Sequence, residues 1–231
     1  SDFTKKHVWD YWKRKSTVIY PPVEHFGLSK MYKKENIILT VGRFFKEGHK
    51  KNQDILLRAF KVLNPGKDWK LVFIGSVKPE DRKYVDSLQH DITLWGLNAE
   101  IHLDVDRDEL KKWYQRASIY WHGAGMNAQK PVEFEHFGIT IGEAMSAGCI
   151  PVVYGGGGPL EIVGDLGKQF LWSDLNQLQH VLKEVIARDN VGDFKNLRFD
   201  LSDSVKRFSY DNYSKAWKEL IFNGSIGTRG L

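Results

Sequence analysis

Glu135 and Glu143, with seven residues between them, are the pair in this chain whose type and spacing point most directly to chemistry. The run Glu135-His136-Phe137-Gly138-Ile139-Thr140-Ile141-Gly142-Glu143-Ala144-Met145 reads as a loop opening into a helix. Glu135 falls just before that helix and Glu143 about two turns inside it. The backbone N–H groups of Phe137, Gly138 and Ile139 would then be unpaired at the helix N-terminus. Such a terminus binds anions, and Gly138 lets a ligand approach the backbone closely. An amphipathic helix with two solvated carboxylates would show the same spacing, because exposed glutamate on helices is common. The pair alone leaves both readings open.

Other chemistry-bearing residues carry weaker signals. Asp104-Val105-Asp106 has a metal-like Asp-x-Asp spacing. However, Asp106 is sufficiently explained as a helix cap opposite Glu109, and no further oxygen-ligand cluster accompanies it. No metal is expected. His122 ends a strand beside a long loop, where it would either touch a ligand or belong to the core, and His136 would face solvent. Gly155 to Gly158 lacks the Gly-x-Gly-x-x-Gly spacing of a dinucleotide site, and around Gly66-Lys67 the phosphate-loop pattern fails at Lys61 and Asp68. The single cysteine, Cys149, excludes an internal disulfide and fits a reducing compartment.

These residues must be positioned by an alternating pattern. Strands are expected at 37–41, 70–75, 100–103, 118–122 and 149–153, with a weak one near 169–171. Helices are expected at 52–63 with Asn52 as cap, and at 79–89 with Pro79 in the first turn. Further helices are expected at 106–117, at 137–147 ended by Gly148, and at 175–188. Residues 123–136 read as a long loop, its part 123–130 as a mobile cover, and the glycines at 155–158 as a flexible turn. Strand and helix in alternation predict an α/β fold, a Rossmann-like parallel sheet flanked by helices. Ligands bind such sheets outside the strands' carboxyl ends. Tyr20-Pro21-Pro22-Val23 reads as an extended linker. Two short helices are expected over 191–222, the second carrying Tyr213, Trp217, Leu220 and Ile221 on one side. A frayed Gly/Ser-rich tail is expected from 223. Three units follow: 1–30, 31–190 and 191–231.

Composition narrows the class. The 231 residues are 42% hydrophobic and 27% charged, which fits a sizeable core and excludes a disordered chain. No apolar run approaches the roughly 20 residues of a spanning helix. The net charge of +5 would serve an anionic small ligand such as a diphosphate. A nucleic-acid partner would rest on charge alone and is not expected.

Several ordered motifs together resemble one family. Glu135 and Glu143 with Phe137-Gly138 and Glu143-Ala144-Met145 look like the signature of GT-B retaining glycosyltransferases of the family-4 type. Ser146-Ala147-Gly148-Cys149-Ile150-Pro151-Val152-Val153 and Gly157-Gly158-Pro159-Leu160-Glu161-Ile162-Val163 match the same run. So do Val41-Gly42-Arg43-Phe44 and Lys51 to Phe60. The resemblance covers about residues 16–190.

It implies a donor-binding domain that handles a UDP- or GDP-hexose without a metal or other cofactor. Arg43 and Lys51, with Lys50 as the adjacent alternative, would grip the donor's diphosphate and stabilise the charge that develops on the leaving group. Glu143 would accept the ribose hydroxyls, two at once, and Glu135 would face the transferred sugar. Phe137, Gly138 and Ile139 would offer N–H groups, the backbone at Leu103 would meet the nucleobase, and Gly42 and Gly75 would line the donor site, with Gly75 giving the ribose clearance. Residues 3–23 resemble the last piece of an N-terminal acceptor-binding domain, itself missing from the chain, and the final helix resembles one that returns to it. The expected partners are a nucleotide sugar, that domain and a membrane-associated acceptor, at a cytoplasmic place peripheral to the membrane.

Overall fold

The computed structural model describes residues 1–29, 33–46 and 50–224. Six strands form one sheet: β1 (Glu35–Val41), β2 (Lys70–Gly75), β3 (Ala99–Leu103), β4 (Ala117–His122), β5 (Ile150–Tyr154) and β6 (Leu171–Trp172). Their order is β3-β2-β1-β4-β5-β6, and every neighbouring pair is parallel. This is the doubly wound order, in which the sheet's direction of growth reverses between β1 and β4. The helices are α1 (Asp2–Trp12), α2 (Gln53–Leu63), α3 (Arg82–Trp95), α4 (Arg107–Arg116), α5 (Ile139–Ser146), α6 (Pro159–Gly167), α7 (Leu175–Asn190), α8 (Lys195–Ser204) and α9 (Tyr210–Gly224).

Burial follows position in the sheet. β4, second of the two strands at the reversal, is buried along its whole length, as a strand covered on both faces must be. β3 is an edge strand and only half-buried. There Glu100 pairs with Lys70 at 3.2 Å and meets His102 at 3.1 Å. Trp69, Trp121, Trp172, Tyr114 and Tyr120 are the largest side chains enclosed by the core.

Local chemistry explains most boundaries. Asp106 caps α4 by accepting the Glu109 N–H at 2.8 Å. Asp174 caps α7 in the same way through Asn176 and Gln177. Gly148 takes a positive φ of 81° after α5, a conformation that suits glycine at a helix end.

Four expectations need correction. Asn52 stands at the N-cap of α2 but makes no capping bond; its side chain donates instead to Gly123 O at 2.7 Å and Met126 O at 3.4 Å. Residues 79–81 form a short 3-10 turn before α3 begins. Two helices lie outside the expected set. α6 starts at Pro159 and is interrupted by the non-helical backbone of Gly164. α1 is capped by Ser1, which accepts from the Thr4 N–H.

The ends of the chain join the packed unit more than their sequence suggests. Val23 and Phe26 are buried in the core, and the Val23 N–H donates to Phe208 O at 2.8 Å. Phe194, Leu201, Val205 and Phe208 are buried too. The expected boundary at residues 30 and 31 lies outside the described residues, as does the tail from 225 onward. Among the described residues, no helix is long and apolar enough to cross a membrane.

Candidate active site

The reversal point between β1 and β4 brings two loops together. Gly42 and Arg43 leave the end of β1, and His122 and Gly123 leave the end of β4. Lys51, just ahead of α2, reaches across to Glu135, with its Nζ 2.5 Å from Oε2. Both side chains are about four-fifths buried. His122 is buried below them, its Nε2 3.7 Å from the same carboxylate oxygen. Burial raises the Glu135 carboxyl, but the neighbouring His122 and the charge of Lys51 outweigh it and hold the group well below the usual carboxylate range. Burial also pulls the His122 imidazole down, keeping it neutral near pH 7.

Arg43 is exposed, just past the end of β1. Its guanidinium lies 4.8 Å from the Phe45 ring centroid, and no carboxylate among the described residues pairs with it. Lys50 points elsewhere: it lines a separate open groove of about 990 Å³ between α2, α3 and the loop after β4. None of Arg43, Lys51, Glu135 or Glu143 lines that groove, and its own charges are mixed, with Arg58 and Lys130 beside Asp54, Asp91 and Glu133.

Glu143 belongs to a second cluster. Its side chain is buried on α5. Arg107 Nη2 donates to Oε1 at 2.5 Å, and Tyr114 Oη donates to Oε2 at 3.1 Å. Arg107 also holds Glu24 at 2.7 Å and lies over the Phe26 ring. Burial, reinforced by Tyr120 and Glu143, pushes the Tyr114 hydroxyl far up, so it remains a donor. Each Glu143 oxygen retains a free lone-pair site. Tyr120 stands between the clusters and bonds Thr140 Oγ1 at 2.8 Å and Val41 O at 3.2 Å. Arg107, Tyr114 and Glu24 are residues the sequence reading missed. The only signal for Arg107 was its place beside the Asp106 cap.

The glycines are explained by close packing. A Cβ on Gly75 would lie 2.1 Å from Gly42 O, so Gly75 makes room for the β1 loop. A Cβ on Gly42 would lie 2.9 Å from Lys51 Cγ. Gly157 and Gly158 press against the backbone of Glu135 and His136, and the Gly158 N–H donates to Glu135 O at 2.9 Å. The glycine run is therefore a tight buttress behind Glu135, not a flexible turn. Gly138 has φ 102° as N-cap of α5. The N–H groups of Phe137, Gly138 and Ile139 find no partner among the described residues, as first-turn donors do.

The loop after β4 is likewise held in place. Asn52 ties down its first turn, and Glu133 accepts the Gln129 and Lys130 N–H groups. Those two bonds hold the Glu133 carboxyl below its usual range. His136 donates to or accepts from Pro131 O at 3.2 Å according to its tautomer. Leu103 ends β3 in register with Gly75, and the following Asp104 N–H reaches Gly75 O. Among the described residues, no cluster of three or more His, Cys, Asp or Glu side chains is placed to hold a metal ion.

A doubly wound parallel sheet of six strands flanked by helices defines an α/β domain of the GT-B kind. The chain belongs to the family of glycosyl transferases group 1, whose pattern matches residues 23–188. It is 28% identical over 243 aligned positions to the GDP-Man:Man(3)GlcNAc(2)-PP-Dol alpha-1,2-mannosyltransferase of Dictyostelium discoideum, covering 95% of this chain and 45% of that protein. A lipopolysaccharide core biosynthesis mannosyltransferase of Rhizobium leguminosarum bv. viciae is 29% identical, over 64% of this chain and 40% of that protein. The fold matches a crystal structure of a glycosyltransferase from Rickettsia africae ESF-5 with a TM-score of 0.80 at 18% identity, covering all of this chain and 63% of that one. The chain thus spans less than half the length of these two curated relatives.

Proposed function

We propose that this chain is the donor-binding part of a retaining hexosyltransferase of the family-4 type. It would bind a nucleotide diphosphate sugar and present it, without a metal, to an acceptor glycan or lipid-linked sugar. The observation that carries this reading is the Lys51–Glu135 contact at the sheet's reversal point, with Arg43 just past the end of β1 and free of any carboxylate among the described residues. A diphosphate meets Arg43 and Lys51 there, and the unpaired N–H groups of Phe137 to Ile139 add partial positive charge. Glu135 is held ionised, so it can accept a hydroxyl of the transferred sugar and stabilise positive charge at the anomeric carbon. Glu143, oriented by Arg107 and Tyr114, accepts the ribose diol.

GDP-mannose is the favoured donor, because the Dictyostelium relative's name begins with GDP-Man and the Rhizobium relative is named a mannosyltransferase. Titration calorimetry with UDP, GDP and ADP sugars tests the whole reading. GDP-mannose should bind most tightly, and Arg43→Ala and Glu143→Ala should each weaken it by roughly tenfold or more, the worth of one charge-assisted contact. Unchanged binding in both variants would remove the site assignment.

A further inference from the structure

Among the described residues Lys51 has a single carboxylate partner, Glu135, yet on the reading above it must also serve a diphosphate. An ammonium is a compact point charge. A diphosphate with two or more negative charges therefore draws it away from Glu135. That leaves a mostly buried carboxylate short of a donor, which is costly unless another group steps in.

Among the described residues, one other donor stands near the same oxygen. His122 Nε2 lies 3.7 Å from Glu135 Oε2, beyond hydrogen-bond length. Closing the gap by roughly 0.8 Å gives a charge-assisted bond of ~2.9 Å. The imidazole can make it: both ring nitrogens are buried, and neither has a hydrogen-bond partner among the described residues. Buried polar atoms left unpaired are rare and ask for an explanation. The ring is also well fixed, because His122 pairs in register with Val153 of β5 and stacks on Tyr120 at 6.4 Å. A fixed donor aimed at a carboxylate whose present partner is about to leave has an evident use.

We propose that His122 is a positioning residue for Glu135, whose Nε2–H takes over the carboxylate when a bound diphosphate draws the Lys51 ammonium away. The inference rests on the assignment of Lys51 to the diphosphate. Lys51 and His122 then act in turn: the carboxylate shifts by roughly 0.8 Å towards the fixed ring and keeps its charge in both states.

Calorimetry with GDP tests this on the wild-type chain, His122→Phe, His122→Gln and Glu135→Gln. His122→Phe keeps the ring volume but loses the donor, so GDP binding should weaken by roughly tenfold. His122→Gln, whose amide reaches close to the position of Nε2, should stay within about threefold of wild type. In a Glu135→Gln background, His122→Phe should cost little more, because the two act as a pair. In NMR spectra, GDP should bring the His122 Nε2 proton into slow exchange with water. Undiminished GDP binding by His122→Phe overturns the inference alone, as do equal losses in His122→Phe and His122→Gln. Failure of the wild-type chain to bind either GDP or UDP overturns the diphosphate assignment, and the inference with it.

Discussion

Glu135 stays charged because Lys51 and His122 outweigh the cost of its burial. Its carboxyl titrates well below the ordinary value of about 4.3. The pair therefore contributes its full stability above that ordinary value and loses it as pH falls through the lower, folded-state one. Glu135→Gln should flatten the acid side of the stability curve below about pH 4, where the wild type declines. Lys51→Met removes the ammonium and leaves the enclosed carboxylate with the neutral His122 as its neighbouring donor. It should cost about 1–2 kcal/mol at neutral pH, less than a fully buried pair because both side chains keep some exposure. Urea unfolding of the three proteins from pH 3 to 8 measures both effects. An unchanged acid limb in Glu135→Gln would mean that the pair contributes nothing to folding. The sequence showed Glu135, Lys51 and His122 as separate candidates. Lys51 and Glu135 are 84 positions apart, and only the parallel sheet brings their loops together, so no local pattern could reveal the contact. The Arg107–Glu143 bond was hidden for the same reason, being made between two helices on different strands' loops.

The elements around these residues are set by glycines as much as by strands. Gly75 and Gly42 put their backbones in contact at the ends of β2 and β1, with the Gly42 N–H donating to Ile74 O at 2.9 Å. Gly75→Ala would drive a Cβ into the Gly42 carbonyl, which must move, and should cost about 3 kcal/mol. Because Gly42 leads directly into Arg43, GDP affinity should fall as well. Gly66→Ala is the control. It meets nothing within 4 Å but carries a φ of +92°, so it should lose about 1 kcal/mol with GDP binding intact. Loss of GDP binding in both variants would point to general destabilisation instead. Strands and long helices were legible here because their apolar periods are plain: residues 70–75 were expected as a strand and form β2. α6 was not legible, because glycines precede it and Gly164 interrupts it. What the glycines pack against was hidden for a related reason. Sequence shows that a residue lacks a side chain, but only packing shows whether a ligand or a neighbouring backbone fills the space.

At the scale of the molecule, two apolar surfaces lie open. α1 exposes Trp9, Tyr11 and Trp12, and α9 exposes Trp217, Leu220, Ile221 and Phe222. α1 is nonetheless anchored at the site's edge. Its first N–H groups, at Asp2 and Phe3, donate to Glu161 of α6 at 2.8 and 2.9 Å. Phe3 packs 5.7 Å from Phe134, beside the Glu135 loop. Every group assigned to the donor comes from the six-stranded unit and its loops, and nothing in that set would hold an acceptor hydroxyl against the anomeric carbon. Holding both reactants in register supplies a large share of a transferase's rate, because it replaces an encounter in solution with a fixed geometry. A chain that binds only the donor should therefore retain nucleotide affinity while turning over very little. The expectation is measurable GDP-mannose binding by calorimetry together with negligible mannose transfer to a lipid-linked oligosaccharide in vesicles. Robust transfer by these 231 residues would show that acceptor groups lie on this unit after all, and the open aromatic faces of α1 and α9 would be the first place to seek them.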